Sequence, residues 1–486
     1  MIATLPTPAS TRWRRCTFAV GAPSALLAGA IALAVYANSG PVQWMDNGEF
    51  LWSAASGIYV WPDLGALSHP LFRLVSAALV ATFGIAALPL LNALLLVPCA
   101  ALVARIVRVL DGTRAAALCA ACTLCLTHCV FWVATKVEVY ALHLLLVLGC
   151  YWLALDHELR IHANARIFGL AILTGLALSV HQLTLVCLGP ILLCALWWYR
   201  PSVLVVVAGA LVGLAPCYPG ALAQLHRGRD LLDVAREFLT AGTATGTGYE
   251  HNVFRFDRLW ASKSFVAIAL LSLCGPQVVG LLYPRGARER AMWWAAILNL
   301  GFVLSYDVPD RFTFFLPGAA LLSILAWLRI DDRVQLRGAR LALALTAICA
   351  LPATLTIAAG AAARGLIHLP SNAHGLPFRD DVQYFMAPYL RDDSALRFAR
   401  AYERQVPHGA AVFADWTPFG ALEAAQAGGT FAGRELHTCE EYADWAVHNP
   451  GRSAYVVRFH LGCEALAGKR VRALPIGFRV DSGCAL

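Results

Sequence analysis

Residues 89–109 read PLLNALLLVPCAALVARIVRV, an apolar run that carries charge only near its end, on Arg105 and Arg108. A run of about 18 or more apolar residues can cross a hydrocarbon layer of roughly 30 Å as one helix. Such runs recur from Cys16 to Gly360, and 59% of the 486 residues are hydrophobic while 14% are charged. A soluble chain of this length would need far more surface charge. The sequence therefore predicts an all-α polytopic membrane protein.

The apolar pattern predicts about eleven transmembrane helices. Their approximate bounds are 17–37, 89–109, 115–133, 137–155, 166–181, 183–199, 202–221, 261–283, 291–306, 311–329 and 341–360. Because Arg12, Arg14 and Arg15 precede the first run, a cleaved signal peptide is an alternative there, although the length of the run favours a retained span. Residues 70–86 are also apolar, but a span there would move the later arginine-rich loops outside. We therefore predict an interfacial helix with Arg73 exposed to headgroups.

The arginines of the short loops set the predicted orientation, because basic loops stay in the cytoplasm. With the N-terminus inside, an odd number of spans places residues 361–486 outside as a small α/β extracytoplasmic domain. Residues 1–360 then form the transmembrane domain, with a catalytic first outer loop at 38–88. In the tail, residues 411–414 and 454–457 are strand-like and 391–405 are helix-like, while Ala414-Asp415-Trp416-Thr417-Pro418 predicts a strand followed by a turn.

Charge and cysteine usage exclude several classes of protein. The net charge of +8 comes with arginines in short loops, where they determine topology, so no nucleic-acid partner is predicted. The fifteen cysteines lie mostly in apolar runs without metal-binding spacing, and no metal site is predicted. Cys439, Cys463 and Cys484 in the tail permit one disulfide in an oxidising compartment. No phosphate-binding loop or dinucleotide fingerprint occurs, so no cofactor is implied.

Ionisable residues cluster at the predicted outer ends of the spans. Charge at a membrane face is costly unless it is used, so this convergence predicts an outward-facing cavity with a binding or catalytic site. The candidate site residues are Asp46, Glu49, His69, Lys136, Glu138, His181, Asp307, Asp310 and Arg311.

Simpler interpretations of these residues remain open. A carboxylate just beyond a span is often a solvated loop residue, and a histidine at a span end is often structural. Glu138 could pair with Lys136, and both Asp307 and Asp310 could pair with Arg311 or cap the following helix. The group therefore indicates a site more strongly than any one member.

An ordered series of motifs resembles a known family. The motifs are Asp46-x-Gly48-Glu49, His69-Pro70-Leu71-Phe72, Phe131-Trp132, Glu138-Val139-Tyr140, Gly175-Leu176-Ala177-Leu178-Ser179-x-His181, Ser305-Tyr306-Asp307-Val308-Pro309-Asp310, Phe314-Phe315-Leu316-Pro317 and Ala414-Asp415-Trp416-Thr417-Pro418. From about residue 40 to 420 the chain resembles the GT-C membrane glycosyltransferases of the protein O-mannosyltransferase type, and within them the transmembrane protein 260 group. It departs at residues 64–72, LGALSHPLF, where such proteins carry His-Pro-Pro-Gly-x-Pro-Leu.

The resemblance implies a reaction and roles for these residues. A sugar, with mannose as a candidate, would pass from a polyprenyl-phosphate donor to a hydroxyl of a protein or glycolipid on the outer face. The resemblance places the catalytic carboxylate in the loop of Asp46, which would remove the proton of the attacking hydroxyl. Glu49, one helical turn away, would orient Asp46 or replace it. Candidates for stabilising the phosphate leaving group are Lys136, His181 and Arg311.

Two other functions remain as alternatives. A transporter or flippase of lipid-linked substrates would place ionisable groups within spans and show paired repeats, whereas here the groups lie at span ends and no repeat is visible. The second alternative is an inactive GT-C-like scaffold, which the altered His-Pro segment favours. The Ala-, Leu- and Arg-rich composition favours a bacterial inner membrane, with membrane lipid around the spans and the predicted site and C-terminus facing the periplasm.

Overall fold

The computed structural model describes residues 17–59, 69–159, 161–240, 249–284, 286–334, 338–366, 374–386, 391–460 and 462–481. Its α-helices are α1 (Thr17–Tyr36), α2 (Asp46–Ala55), α3 (Pro70–Phe83), α4 (Leu88–Val109), α5 (Arg114–Cys125), α6 (His128–Ala134), α7 (Tyr140–Leu155), α8 (Ala163–Val180), α9 (Thr184–Tyr199), α10 (Val203–Gly213), α11 (Tyr218–His226), α12 (Leu231–Thr240), α13 (Lys263–Leu271), α14 (Gln277–Gly280), α15 (Ala287–Ser305), α16 (Leu316–Arg333), α17 (Gly338–Leu366), α18 (Asp381–Met386), α19 (Ser394–Glu403), α20 (Trp416–Ala427) and α21 (Tyr442–His448). Its strands are β1 (Ala411–Ala414), β2 (Glu435–Thr438), β3 (Ala454–Val456), β4 (Val471–Ala473) and β5 (Phe478–Val480).

The chain is a mostly helical, multi-span membrane protein. Within the described residues, four helices are long and apolar enough to cross a membrane, or up to six if each of two bent helix pairs is one span. Shorter apolar helices stand beside them, and every predicted span falls on a helix or on a broken helix. Helices α5 and α16 are buried along most of their length, so they form the centre of the bundle.

A sharp bend between α5 and α6 creates one edge of the candidate site. The two helices meet at 66°, and Thr127 between them has an extended backbone. Helix α6 then ends at Ala134, which leaves a short segment before α7 begins at Tyr140. This segment carries Lys136 and Glu138.

The predicted helix at residues 70–86 exists as α3, followed by a short 3-10 helix at Ile85–Ala87. The prediction that Arg73 is exposed to headgroups is wrong. The side chain of Arg73 is 2% exposed and forms an ion pair with Glu49. The single arginine of this apolar helix can be buried because a buried carboxylate on the neighbouring helix compensates its charge.

The C-terminal part contains a five-stranded sheet in the order β2-β1-β3-β5-β4. Strand β1 is parallel to β2 and β3, whereas β5 is antiparallel to β3 and β4. The two predicted strands are confirmed as β1 and β3, and the helix-like stretch contains α19. The predicted turn at Asp415–Pro418 is wrong, because Asp415 accepts a hydrogen bond from the backbone N–H of Thr417 and so caps the start of α20.

One disulfide links the loops of this C-terminal part. Cys439 follows β2 and is bonded to Cys463, which follows β3. Of the three cysteines predicted to permit a disulfide, these two form it, and Cys484 lies outside the described residues. The glycine- and threonine-rich residues 241–248, residues 64–68 of the altered His-Pro segment and Arg12, Arg14 and Arg15 also lie outside them.

Candidate active site

Helix α2 presents Asp46 at its first position. The preceding residue, Met45, has a left-handed backbone with φ of 58°, so the chain turns abruptly into the helix. The backbone N–H of Met45 donates to the carbonyl of Thr417 at 3.3 Å. The Asp46 carboxylate accepts a hydrogen bond from the indole N–H of Trp416 and remains partly accessible. A carboxylate at a helix N-terminus also lies in the favourable field of the helix dipole.

Glu49 lies one turn further along α2 in different surroundings. Its two carboxylate oxygens accept hydrogen bonds from the Arg73 guanidinium at 2.8 and 3.0 Å. The guanidinium also lies over the ring of Phe50 at 5.3 Å. Both charged side chains are almost fully buried. A bidentate buried pair of this kind holds Glu49 in place and leaves it little freedom to accept a proton from a substrate.

Asn47 joins α2 to the segment between α6 and α7. Its amide nitrogen donates to the Glu138 carboxylate at 2.6 Å and to the Val137 carbonyl at 2.9 Å. Its amide oxygen accepts from the hydroxyl of Tyr384 at 2.9 Å. From the other side, Asn92 of α4 donates to the backbone carbonyl of Glu138 at 2.6 Å. The Glu138 carboxylate is therefore held beside the first turn of α2.

Asp46, Glu138 and Asp310 form an acidic cluster, in which the charge of Asp46 acts on both other carboxyls and the charge of Asp310 acts on Glu138. Burial raises the pKa of Asp46, while the hydrogen bond from Trp416 and the charge of Arg73 oppose that rise. Burial, followed by the charge of Asp46, raises the pKa of Asp310 to about 7. Burial and the charges of the two aspartates raise the pKa of Glu138 well above its ordinary value. Neighbouring carboxyls that cannot all ionise share protons, and one of them can act as a base near neutral pH.

His69 and His181 form a second part of the site. Their rings stack with centroids 5.5 Å apart, and Tyr140 and Phe314 each lie about 5.4 Å from the His181 ring. The Nδ1 of His69 donates to the Val180 carbonyl at 2.6 Å, whereas the Nδ1 of His181 accepts from the backbone N–H of Leu183 at 3.0 Å.

These hydrogen bonds fix the tautomers of the two histidines. Burial lowers the pKa of His69 to about 4 and that of His181 well below its ordinary value, so both rings are neutral. A neutral His181 that accepts at Nδ1 carries its proton on Nε2, and His69, which donates from Nδ1, has a free lone pair on Nε2. The stacked pair therefore offers a ligand one donor and one acceptor.

The structure does not bring Lys136 into the acidic cluster. Its ammonium donates to Ser39 at 3.0 Å and lies 4.0 Å from Asp392, beside the ring of Tyr384. Burial lowers the pKa of Lys136 to about 8. This cation is placed to hold the first outer loop against the C-terminal part.

Arg311 forms its ion pair with Asp307, and its charge also acts on the neighbouring Asp310 of the cluster. The buried guanidinium of Arg311 donates to Asp307 at 2.6 Å, to Ser262 at 3.0 Å and to the Val308 carbonyl at 3.0 Å. Of the predicted site residues, the structure thus groups Asp46, Glu138 and Asp310, and Glu49 lies next to them with its partner Arg73. A role for Arg311 and Lys136 in substrate binding stays a prediction.

Sequence reasoning missed the residues that support this group. Asn47 lies between Asp46 and Glu49 in the acidic motif, and this position could have identified it as a site residue. Tyr384 and Trp416 come from the tail, more than three hundred residues away along the chain, and only the tail motif gave a sign of Trp416. Among the described residues, no group of three or more histidine, cysteine or carboxylate side chains is arranged to hold a metal ion.

Residues 71–203 match the family model described as the Protein O-mannosyl-transferase TMEM260 N-terminal domain. Over this segment, about a quarter of the chain, the sequence is similar to the TMEM260 N-terminal domain. The segment runs from α3 to the start of α10 and includes Glu138, His181 and the partner of Glu49, Arg73. The predicted resemblance is therefore confirmed. No curated protein sequence is significantly similar to the chain.

Two solved structures share the architecture over nearly the whole chain. ArnT from Cupriavidus metallidurans bound to undecaprenyl phosphate is 14% identical, with a TM-score of 0.56, over 95% of this chain and 98% of that one. The apo state of the same protein is 13% identical, with a TM-score of 0.56, over 94% and 97%. At this identity the likeness concerns the fold. The chain thus has an ArnT-like GT-C fold. The predicted enzyme class, a GT-C type glycosyltransferase, is confirmed by the family-model match together with this fold.

Proposed function

We propose that the chain transfers a sugar, with mannose the candidate, from a polyprenyl-phosphate donor to a hydroxyl of a protein or glycolipid. The TMEM260 match supports the sugar and the hydroxyl acceptor. A polyprenyl-phosphate donor is supported by ArnT, a protein of the same fold that binds undecaprenyl phosphate. The observation that carries the proposal is the partly accessible Asp46 carboxylate within an acidic cluster.

In this reaction Asp46 is the general base. One carboxylate oxygen is engaged by Trp416, and the other takes the proton of the acceptor hydroxyl as its oxygen attacks C1 of the sugar. The bond between C1 and the phosphate oxygen breaks, and the polyprenyl phosphate leaves as an anion. The Nε2–H of neutral His181 donates to a phosphate oxygen and stabilises this charge. Glu138 and Asp310 accept or donate protons beside the reacting hydroxyl.

The disulfide supports an orientation for this chemistry. Cys439 and Cys463 are bonded in the C-terminal part, whereas the described free cysteines all lie between Cys99 and Cys349. Disulfides persist in oxidising compartments, so we propose that residues 361–486 form an extracytoplasmic domain. With eleven spans in residues 1–360, the catalytic loop 38–88 faces the same side, which in a bacterial inner membrane is the periplasm. Labelling of cysteines introduced at Gly338 and Asp393 should find the former inside and the latter outside, and labelling of both from one side contradicts the orientation.

Replacement of Asp46 by asparagine tests the proposed function. Asparagine keeps the size of the side chain and cannot accept the proton, so the rate of transfer should fall by about 10²- to 10⁴-fold. The measurement is sugar transfer from a synthetic polyprenyl-phosphate mannose to a hydroxyl acceptor by the full chain in nanodiscs. Donor affinity, measured separately, should stay nearly unchanged.

The matched control is Asp444→Asn, because Asp444 on α21 is an exposed aspartate far from α2 along the chain. Its transfer rate should equal that of the unmodified protein. An Asp46→Asn protein within about threefold of the unmodified rate contradicts the assignment of the base. If the unmodified protein neither transfers the sugar nor hydrolyses the donor without an acceptor, the chain is a scaffold or a transporter instead.

A further inference from the structure

Helices α2 and α20 pack against each other through two glycines. A side chain added at Gly48 would overlap the backbone of Gly420, and one added at Gly420 would overlap the carbonyl of Met45. The two backbones are therefore in direct contact at the first turn of α2. Since α20 belongs to the tail, the acidic motif is built against the C-terminal part of the chain.

The start of α20 is anchored from within the tail. Asp415 caps the helix and also accepts hydrogen bonds from Nε and Nη2 of Arg458, each at 2.7 Å, with both side chains buried. Arg458 additionally donates to the His374 carbonyl at 3.0 Å. A buried bidentate pair is rigid because breaking it leaves an uncompensated charge. The first residue of α20, Trp416, is thereby held at a fixed position next to α2.

Resting on the proposed function, we propose that Trp416 is a positioning residue for the catalytic base, so that the C-terminal domain completes the active site. The indole N–H donates to the Asp46 carboxylate while the ring stacks near Phe419. A neutral donor on one oxygen fixes the rotation of the carboxylate and stabilises its ionised form without taking away its ability to accept a proton. Glu49, which is paired with a guanidinium, has no comparable arrangement.

Several charged and titratable groups on the surrounding elements interact electrostatically with Asp46, Arg73 by its charge on Asp46 and the others through the charge of Asp46 on them. All of them stay in place when only the indole N–H is removed. They are Glu49 on α2, Arg73 on α3, Glu138 between α6 and α7, Tyr140 on α7, Asp310 before α16 and Tyr384 on α18. The effect of the N–H can therefore be separated from theirs by a substitution that keeps the ring.

The experiment compares Trp416→Phe with the unmodified full chain in nanodiscs, with kcat/KM for transfer measured from pH 5 to pH 9. A hydrogen bond to the ionised carboxylate lowers the pKa of the base, so its loss should shift the acid limb of the profile upward by about one pH unit. The rate on that limb should fall by about tenfold and recover as the pH rises. A purely structural role would lower the rate at every pH without moving the limb.

Trp445→Phe is the matched control, because the buried indole N–H of Trp445 in the same domain has no hydrogen-bond partner within the described part of the chain. Its loss should therefore leave the profile unchanged. Benzothienylalanine at position 416 keeps the bicyclic shape and lacks only the N–H, so it must give the same shift as Trp416→Phe even if phenylalanine disturbs the helix.

If Asp46→Asn abolishes transfer and neither Trp416 variant moves the acid limb, Trp416 has no positioning role while the proposed function stands. If Asp46→Asn itself is without effect, the proposed function fails and this inference with it.

Discussion

The two carboxylates of α2 lie one turn apart and have opposite surroundings. Asp46 faces a neutral indole donor and is partly accessible, whereas Glu49 is buried in a bidentate pair with Arg73. The indole occupies one oxygen of the Asp46 carboxylate, whereas the guanidinium occupies both oxygens of Glu49. The partner, more than the residue type or its place in a motif, therefore decides which carboxylate is available for chemistry.

The largest expected effect comes from breaking the pair on the Glu49 side. Arg73→Met removes the guanidinium and leaves a buried carboxylate without its countercharge, which should lower the free energy of unfolding by about 3–5 kcal/mol. Thermal unfolding of the purified protein in detergent measures this. Asp46→Asn should leave the melting temperature nearly unchanged, because its partner is neutral and its site partly accessible.

The control for this substitution is Arg397→Met, which breaks the exposed pair between Arg397 and Asp393 on α19. Exposed pairs contribute about 0–1 kcal/mol, so its effect should be small. Equal melting temperatures for Arg73→Met and Arg397→Met would contradict a structural role for the Glu49 pair. Glu49 would then be the next candidate for the base.

A smaller effect should follow from separating α2 and α20. Gly420→Ala inserts a methyl group into the carbonyl of Met45, so α20 must move away from α2, at a cost of about 1–3 kcal/mol for overpacking. Because Trp416 moves with the helix, transfer should fall by about 10- to 100-fold. The measurement is the transfer rate at fixed donor concentration.

Gly428→Ala is the matched control, since a methyl group there meets Ala424 and Ala425 carbonyls at ordinary contact distances of 3.5 and 3.6 Å. It lies at the other end of the same helix and should leave transfer unchanged. If Gly420→Ala transfers sugar as fast as Gly428→Ala, the contact between the two helices is not needed to position Asp46.

The sequence predicted a mostly helical, multi-span membrane protein because long apolar runs have few alternatives to a helix in lipid. The predicted number of about eleven spans stays a prediction, since four to six of the described helices are long and apolar enough to cross a membrane. The sequence also predicted β1 and β3, because short apolar runs with valine and aromatic residues are a local signal of a buried strand. It failed for Arg73, because the carboxylate that compensates it lies 24 residues earlier in the chain, outside any local pattern. At Asp415–Pro418, an aspartate followed closely by proline is compatible with both a turn and a helix start. The buried ion pair of Asp415 with Arg458, a tertiary contact, favours the helix start.

The candidate site was predicted in part for the same reason. Asp46, Glu138 and Asp310 were identified as polar residues beside apolar runs, and the structure groups them. Their order of importance could not be derived from spacing, because Asp46 and Glu49 differ only in partners brought by tertiary contacts. Trp416 comes from 370 residues further along the chain, so no helical or strand periodicity connects it with Asp46.

The last prediction concerns Glu423, a buried carboxyl of α20. Its Oε2 has no hydrogen-bond partner among the residues that the structure describes. Burial, followed by the charge of Glu49, raises the pKa of Glu423 to about 9 against the opposing charge of Arg73. The group is therefore protonated in the folded protein at neutral pH and ionised in the unfolded chain. Folding takes up a proton between pH 4.5 and about 9, so this carboxyl makes the protein less stable as the pH rises through that window, by about 1 kcal/mol per pH unit.

Glu423→Gln removes this dependence of the stability on pH. It leaves the pair of Glu49 and Arg73 intact and removes only a neighbouring acid. Melting temperatures of the variant and the unmodified protein should agree near pH 4.5 and diverge as the pH rises, with the variant the more stable. The control is Glu440→Gln at an exposed glutamate of the same domain, which should change neither the melting temperature nor its pH dependence. If the melting temperatures of Glu423→Gln and the unmodified protein differ by the same amount at every pH in this range, Glu423 does not gain a proton on folding. The surroundings of Glu49 are then less apolar than the packing of α2 against α20 implies.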